Sequence, residues 1–82
     1  MNSEKIREKV VVMANKYGNV NVIDFKRPLM MHPYRLDARE LTMIFLEIEG
    51  EYEIDLDILF SRSIDFSVDS IVNGVVEQLR LL

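Results

Sequence analysis

Few residues in this chain have side chains suited to catalysis or to metal binding. There is no cysteine, and His32 is the only histidine, so any metal site would have to be built from carboxylates. No recognisable calcium loop occurs among the acidic residues. The spacing of the serines, the histidine and the acids predicts no nucleophilic triad, and there is no glycine-rich phosphate loop. We therefore expect a binding protein and not an enzyme, with His32 structural or exposed.

Acidic charge is concentrated in the middle of the chain. Residues 37–57 contain eight acidic side chains and a single basic one, whereas residues 1–36 contain seven basic and three acidic side chains. An acidic block repels a phosphate backbone and attracts basic proteins. We therefore expect no nucleic acid partner. The block is either a docking surface for a protein with a basic surface or the solvated face of a helix.

Length and composition predict one small folded domain over residues 1–82. The chain is 49% hydrophobic and 29% charged, which is the balance of a folded protein and not of a disordered tail. No apolar run reaches the roughly 20 residues of a membrane span, and the start MNSEKIREK lacks the apolar centre of a signal peptide. We expect no membrane partner and a cytoplasmic location.

The hydrophobic periodicity predicts an all-α protein. Apolar residues at spacings of three and four predict helices at about 3–17, 38–53 and from 68 onward, with a short helical turn at 58–60. Gly18 is the predicted stop of the first helix, and Asp37, Asp57 and Ser67 are the predicted N-caps of the others. The predicted core face of the second helix consists of Leu41, Ile44, Phe45, Ile48 and Tyr52.

Residues 18–36 are predicted to form a long connection that packs over the core. Pro28 and Pro33 break any helix, yet the segment is too apolar for a free linker. A strand at 19–25 is the competing interpretation, although no other segment is predicted to pair with it. Met30 and Met31 are expected to fill irregular gaps in the core, the alternative being contact with an apolar ligand.

This order of elements resembles the acyl carrier protein family over nearly the whole chain. The segment ELTMIFLEIEGEYEIDL at 40–56 is similar to the carrier's second helix and its exit, and FSVDSIVNGVVEQL at 66–79 is similar to its last helix. The resemblance implies a four-helix bundle with a long first loop and a short third helix. In particular, the chain resembles the acyl carrier-related proteins of bacterial peptide maturation systems that lack the attachment serine.

The attachment motif of the carrier family is altered in this chain. Carriers bear 4′-phosphopantetheine on the serine of an Asp-Ser-Leu motif at the start of the second helix, and the family's spacing back from Tyr52 places that serine at Ala38. Asp37 matches the motif, whereas Arg39 stands where the leucine belongs. Because an alanine methyl has no oxygen to form the phosphodiester, we expect no cofactor.

A decoy of the attachment motif occurs near the end of the sequence. Asp69-Ser70-Ile71 imitates it, but only eleven residues follow Ile71, too few for the remaining helices of a carrier. Ser70 is therefore predicted to be a first-turn residue of the last helix. The alternative is a working acyl or peptidyl carrier that bears 4′-phosphopantetheine on a serine other than the expected one.

The second helix is predicted to carry the partner-binding surface. At 100° per residue, Met43 and Leu46 fall on the side away from the core, with acidic residues along one flank. An apolar centre with a charged rim is typical of a transient interface, and the resemblance implies the same surface, where carriers meet their enzymes. Six residues are thus predicted to bind the partner: Arg39, Glu40, Met43, Leu46, Glu47 and Glu51. The alternative is that the two apolar residues are scattered surface residues.

The predicted function is that of a non-catalytic, carrier-like interaction subunit. It is expected to dock a biosynthetic or peptide-maturation enzyme through its acidic second helix, without a phosphopantetheine arm. Besides the working carrier, the remaining alternative is a small helical regulatory or scaffold protein.

Overall fold

A computed structural model of the chain describes residues 2–63 and 65–81, and within them all regular secondary structure is helical. The four helices are α1 (Ser3–Gly18), α2 (Ala38–Tyr52), α3 (Leu56–Arg62) and α4 (Val68–Leu81). This confirms the predicted all-α bundle with a long first loop and a short third helix. The alternative strand at 19–25 is absent from the described structure, and the segment is irregular.

An asparagine caps each end of the first helix. The Asn2 side-chain oxygen accepts hydrogen bonds from the backbone N–H groups of Glu4 and Lys5, which satisfies two of the free donors of the first turn. At the other end Asn19 takes the left-handed conformation, with φ of 51°. Gly18, which was predicted to stop the helix, is instead its last residue.

The second helix begins with a reciprocal capping box. The Asp37 carboxylate accepts from the N–H of Glu40 at 2.8 Å, and the Glu40 carboxylate accepts from the N–H of Asp37 at 2.9 Å. Asp37 is therefore confirmed as the N-cap. The helix ends at Tyr52, and the next residue, Glu53, takes the left-handed conformation with φ of 54°. Gly50 lies inside the helix, in its last turn.

The third and fourth helices are capped by Asp55 and Ser67. The Asp55 carboxylate accepts from the N–H of Ile58 at 3.0 Å, so the prediction of Asp57 as the cap was wrong by two residues. The helix starts earlier than its apolar residues suggest. Asp57 lies in the first turn, where its negative charge interacts favourably with the helix dipole. The Ser67 hydroxyl accepts from the N–H of Ser70, which confirms Ser67 as the cap of α4.

The core lies between α1, α2 and α4, with α3 packed on α4. The predicted core face of α2 is confirmed except at Tyr52, which is only partly buried. Each large apolar side chain buried in this way contributes about 1.5–3 kcal/mol. The buried apolar residues of the three long helices are Ile6, Val10, Met13, Ala14, Leu41, Ile44, Phe45, Ile48, Val68, Ile71, Val72 and Val75.

The long first loop packs over this core, as predicted. Leu29 and Tyr34 are buried, and the Tyr34 hydroxyl accepts hydrogen bonds from the backbone N–H groups of Ile23 and Asp24. The expectation that Met30 and Met31 fill the core was wrong, because they are 42% and 58% exposed. They lie in a run of tight turns that follows Leu29 and points them outward.

Candidate partner-binding surface

The outer face of α2 exposes a stripe of residues along its length. Met43 and Leu46 are 42% and 46% exposed, and Arg39 and Gly50 are also exposed. Their spacing places all four within about 60° of one another on the helix. Because Ile44 and its core neighbours hold the opposite side of the helix in the bundle, nearly half of Met43 and of Leu46 is left open to solvent. The prediction that Met43 and Leu46 face away from the core is confirmed.

The three glutamates predicted to rim this stripe are engaged within the chain. The Glu47 carboxylate accepts from the Lys16 ammonium at 2.8 Å and from the Tyr17 hydroxyl at 2.6 Å. Glu51 accepts from Lys9 at 3.0 Å. Glu40 belongs to the capping box. These carboxylates therefore face the helix start or α1, and not the open side of α2.

The ion pairs between α1 and α2 shift the pKa values of their members. The hydrogen bond from Lys16, and after it the hydrogen bond from Tyr17, lowers the pKa of Glu47 below its ordinary value. The hydrogen bond to Glu47 raises the pKa of Lys16, and the bond to Glu51 raises the pKa of Lys9. Since these pairs are exposed to solvent, each stabilises the fold only slightly. Their charges are partly neutralised before any partner arrives.

A second set of acids lies at the junction of α2 and α3. Among the described residues, Glu49, Glu53 and Asp57 take part in none of the side-chain hydrogen bonds or ion pairs. All three are exposed. They belong to the acidic block seen in the sequence, but the predicted binding set omitted them. Their unpaired charge makes this junction the strongest acidic feature beside the stripe.

The third helix extends the exposed apolar surface. The Phe60 ring lies 4.5 Å from the Phe45 ring, centre to centre, and 5.6 Å from the Phe66 ring. Phe45 immediately precedes Leu46, so this packing places α3 along the flank of α2 that adjoins the stripe. Ile58 and Phe60 nevertheless remain exposed. The sequence prediction missed both residues, because a seven-residue helix gives too short a pattern to separate its faces.

Ala38, which the sequence resemblance predicts to stand in place of a carrier serine, is open to solvent. Ala38 is the first residue of α2 and is exposed, but it offers no hydroxyl. The decoy Ser70 lies in the first turn of α4, as predicted, and its hydroxyl donates to the carbonyl of Ser67 at 3.1 Å. Ser63 is fully buried and donates to the carbonyl of Leu59. Ser63 is therefore closed to solvent, and Ser70 is partly exposed with its hydroxyl already hydrogen-bonded to Ser67.

Metal ions and membranes are the other binding partners to consider. Residues 2–63 and 65–81 contain no group of three histidine, aspartate or glutamate side chains placed to hold a metal ion. In the same part of the chain, no helix combines the length and apolar character needed to cross a membrane. His32 is exposed in the long loop.

Comparison of the sequence with protein-family models and curated proteins, and of the chain with solved structures, gives no significant match.

Proposed function

We propose that this chain is a non-catalytic interaction subunit, similar to an acyl carrier protein, that docks a biosynthetic or peptide-maturation enzyme. The docking surface is the outer face of α2, and no phosphopantetheine arm takes part. The observation that carries the proposal is the exposure of Met43 and Leu46 on one face of a helix whose opposite face is buried in the core. Two large apolar side chains within a charged surface match the centre and rim of a protein interface.

The charges around the apolar pair favour a partner with a basic surface. Glu49, one turn after Leu46, and Glu53, at the end of α2, are unpaired among the described residues, whereas Glu47 and Glu51 are held by lysines of α1. The electrostatic attraction therefore comes mainly from the end of α2 and the start of α3. Exposed charges of this kind steer association and are screened by salt beyond about 8 Å at physiological ionic strength.

Matched variants test the docking surface. Immobilised wild-type chain, Leu46→Asp and the control Ile23→Asp are incubated with extract of the source cells, and retained proteins are quantified. Ile23 is exposed on the long loop and belongs to no helix, so its variant carries the same new charge on a different element. We expect an enzyme that wild type and Ile23→Asp retain equally, that Leu46→Asp loses, and that elutes as salt is raised. Equal retention by all three proteins would contradict the proposal.

The proposed absence of a phosphopantetheine arm is tested by intact mass. The chain is incubated with coenzyme A and a promiscuous phosphopantetheinyl transferase, and an authentic carrier protein serves as the positive control. We expect the mass of the chain to stay unchanged, because Ala38 has no nucleophilic oxygen. An added phosphopantetheine on any serine would favour the working carrier instead, and peptide mapping would identify the residue.

A further inference from the structure

The exposed stripe of α2 has opposite charges at its two ends. Arg39 lies at the start of the helix and forms no ion pair among the described residues. Glu53, also unpaired, follows the last turn at the other end. Met43 and Leu46 lie between them and are exposed. A face with a basic end, an apolar middle and an acidic end is complementary to itself only when two copies run antiparallel.

Gly50, in the same stripe, has no packing role within the chain. It lies in the last turn of a helix, where glycine costs about 1 kcal/mol relative to alanine. A Cβ atom at Gly50 would meet no atom within 4 Å, whereas a Cβ at Gly18 or Gly74 would meet a neighbouring leucine closer than 3 Å. The φ of Gly50 is not positive, so the backbone does not require glycine either. The residue leaves the outer surface of α2 open to close approach by another chain.

We propose that the outer face of α2 binds a second copy of this chain in a symmetric antiparallel pair centred on Leu46. A twofold axis at Leu46 packs this side chain against its own counterpart. Residues before Leu46 in one copy then face residues after Leu46 in the other copy, so Arg39 faces Glu53 of the partner subunit. Met43 falls opposite Glu49 of the partner subunit, one residue from Gly50 of the partner subunit, whose missing side chain provides space for the methionine. Because the interface is isologous, each of the two unlike contacts occurs twice.

The size of this contact sets its strength. One pair of helices of this length covers less surface than the roughly 800 Å² per partner of a standard stable complex, so the dimer dissociates at micromolar to millimolar concentrations. The pairing uses the same face as the proposed docking function and therefore competes with it. It does not rest on that function, because self-association is measured with this chain alone.

Reversing the charges of Arg39 and Glu53, singly and together, tests the pairing. Sedimentation equilibrium is measured from about 10 µM to about 1 mM, where interfaces smaller than standard dissociate. For wild type we expect the mass to rise from the monomer value of 9.6 kDa toward twice that value. Arg39→Glu and Glu53→Arg should each weaken association about tenfold, and the double variant should restore it. A wild type that stays monomeric throughout, or a double variant weaker than either single one, would overturn the proposal.

Two further variants locate the contact. Gly50→Leu should abolish the dimer without lowering the melting temperature of the monomer, because a Cβ atom at this exposed position meets no atom of its own chain within 4 Å. Since the chain contains no cysteine, Leu46→Cys introduces a single thiol that lies on the twofold axis. Mild oxidation should join two copies of Leu46→Cys by a disulfide but not the control Ile23→Cys. Equal cross-linking of both, or a dimer that tolerates Gly50→Leu, would refute this geometry.

Discussion

Glycine to alanine substitution at three helical positions should give effects of different sign. Gly18, Gly50 and Gly74 all lie within helices, so local propensity alone favours alanine by about 0.8–1.0 kcal/mol in a helix interior. Their surroundings differ. A Cβ at Gly74 would lie 2.9 Å from Leu59 Cδ1, and one at Gly18 would lie 2.6 Å from Leu36 Cδ1, whereas one at Gly50 meets nothing within 4 Å.

The surroundings decide the magnitude of each effect. At Gly50 no contact opposes the gain in helix propensity, so we expect a stabilisation of up to about 1 kcal/mol and a melting temperature higher by at most about 4–8 °C, the last turn being less than a full interior position. At Gly74 the facing Leu59 is fully buried. The overpacking cost of about 1–3 kcal/mol therefore offsets the gain in helix propensity and lowers the free energy of unfolding by up to about 2 kcal/mol. At Gly18 the closer contact and the position at the helix end make the expected loss larger.

Thermal and urea unfolding followed by circular dichroism measure all three variants. The protein concentration is kept at about 1 µM, at the low end of the range in which the proposed dimer dissociates, so that the monomer predominates. If Gly74→Ala were as stabilising as Gly50→Ala, the contact between α3 and α4 would be looser than described. If Gly50→Ala were destabilising, residue 50 would not lie in an exposed helical turn.

Three further predictions follow from individual side chains. Leu46→Asp should lower the free energy of unfolding by about 1 kcal/mol, because about half of a leucine's burial energy is lost. The helical circular dichroism should stay intact, and a global unfolding would place the residue in the core. Asp37→Ala should cost about 1 kcal/mol by removing the cap of α2, and a melt identical to wild type would show that the cap is dispensable. The bonds from Lys16 and Tyr17 lower the pKa of Glu47, so the stability they confer is present above its ordinary pKa of 4.5 and is lost as the pH falls below it. Glu47→Gln should remove that part of the acid dependence of the melting temperature, and an unchanged profile would contradict the assignment.

The sequence by itself determined the order of the helices and the buried face of each long one. Ile44 and Ile48 recur at a helical spacing, and burying apolar side chains is the dominant favourable term in folding, so the pattern identifies the inner face without knowledge of its neighbours. The cap at Asp37 was also predictable, because its hydrogen bond runs to a residue only three positions away. The exposure of Met43 and Leu46 followed from the same period.

Only the tertiary structure decided which of the acidic residues are free to meet a partner. Glu47 and Glu51 were predicted to rim the docking surface, yet they are bound by Lys16 and Lys9, which lie 31 and 42 residues away in the sequence. Such pairs depend on how α1 packs against α2, and no local pattern encodes that rotation. The same reason explains why Gly50 could not be distinguished from the other helical glycines, since the space around a glycine is set by the elements that fold against it.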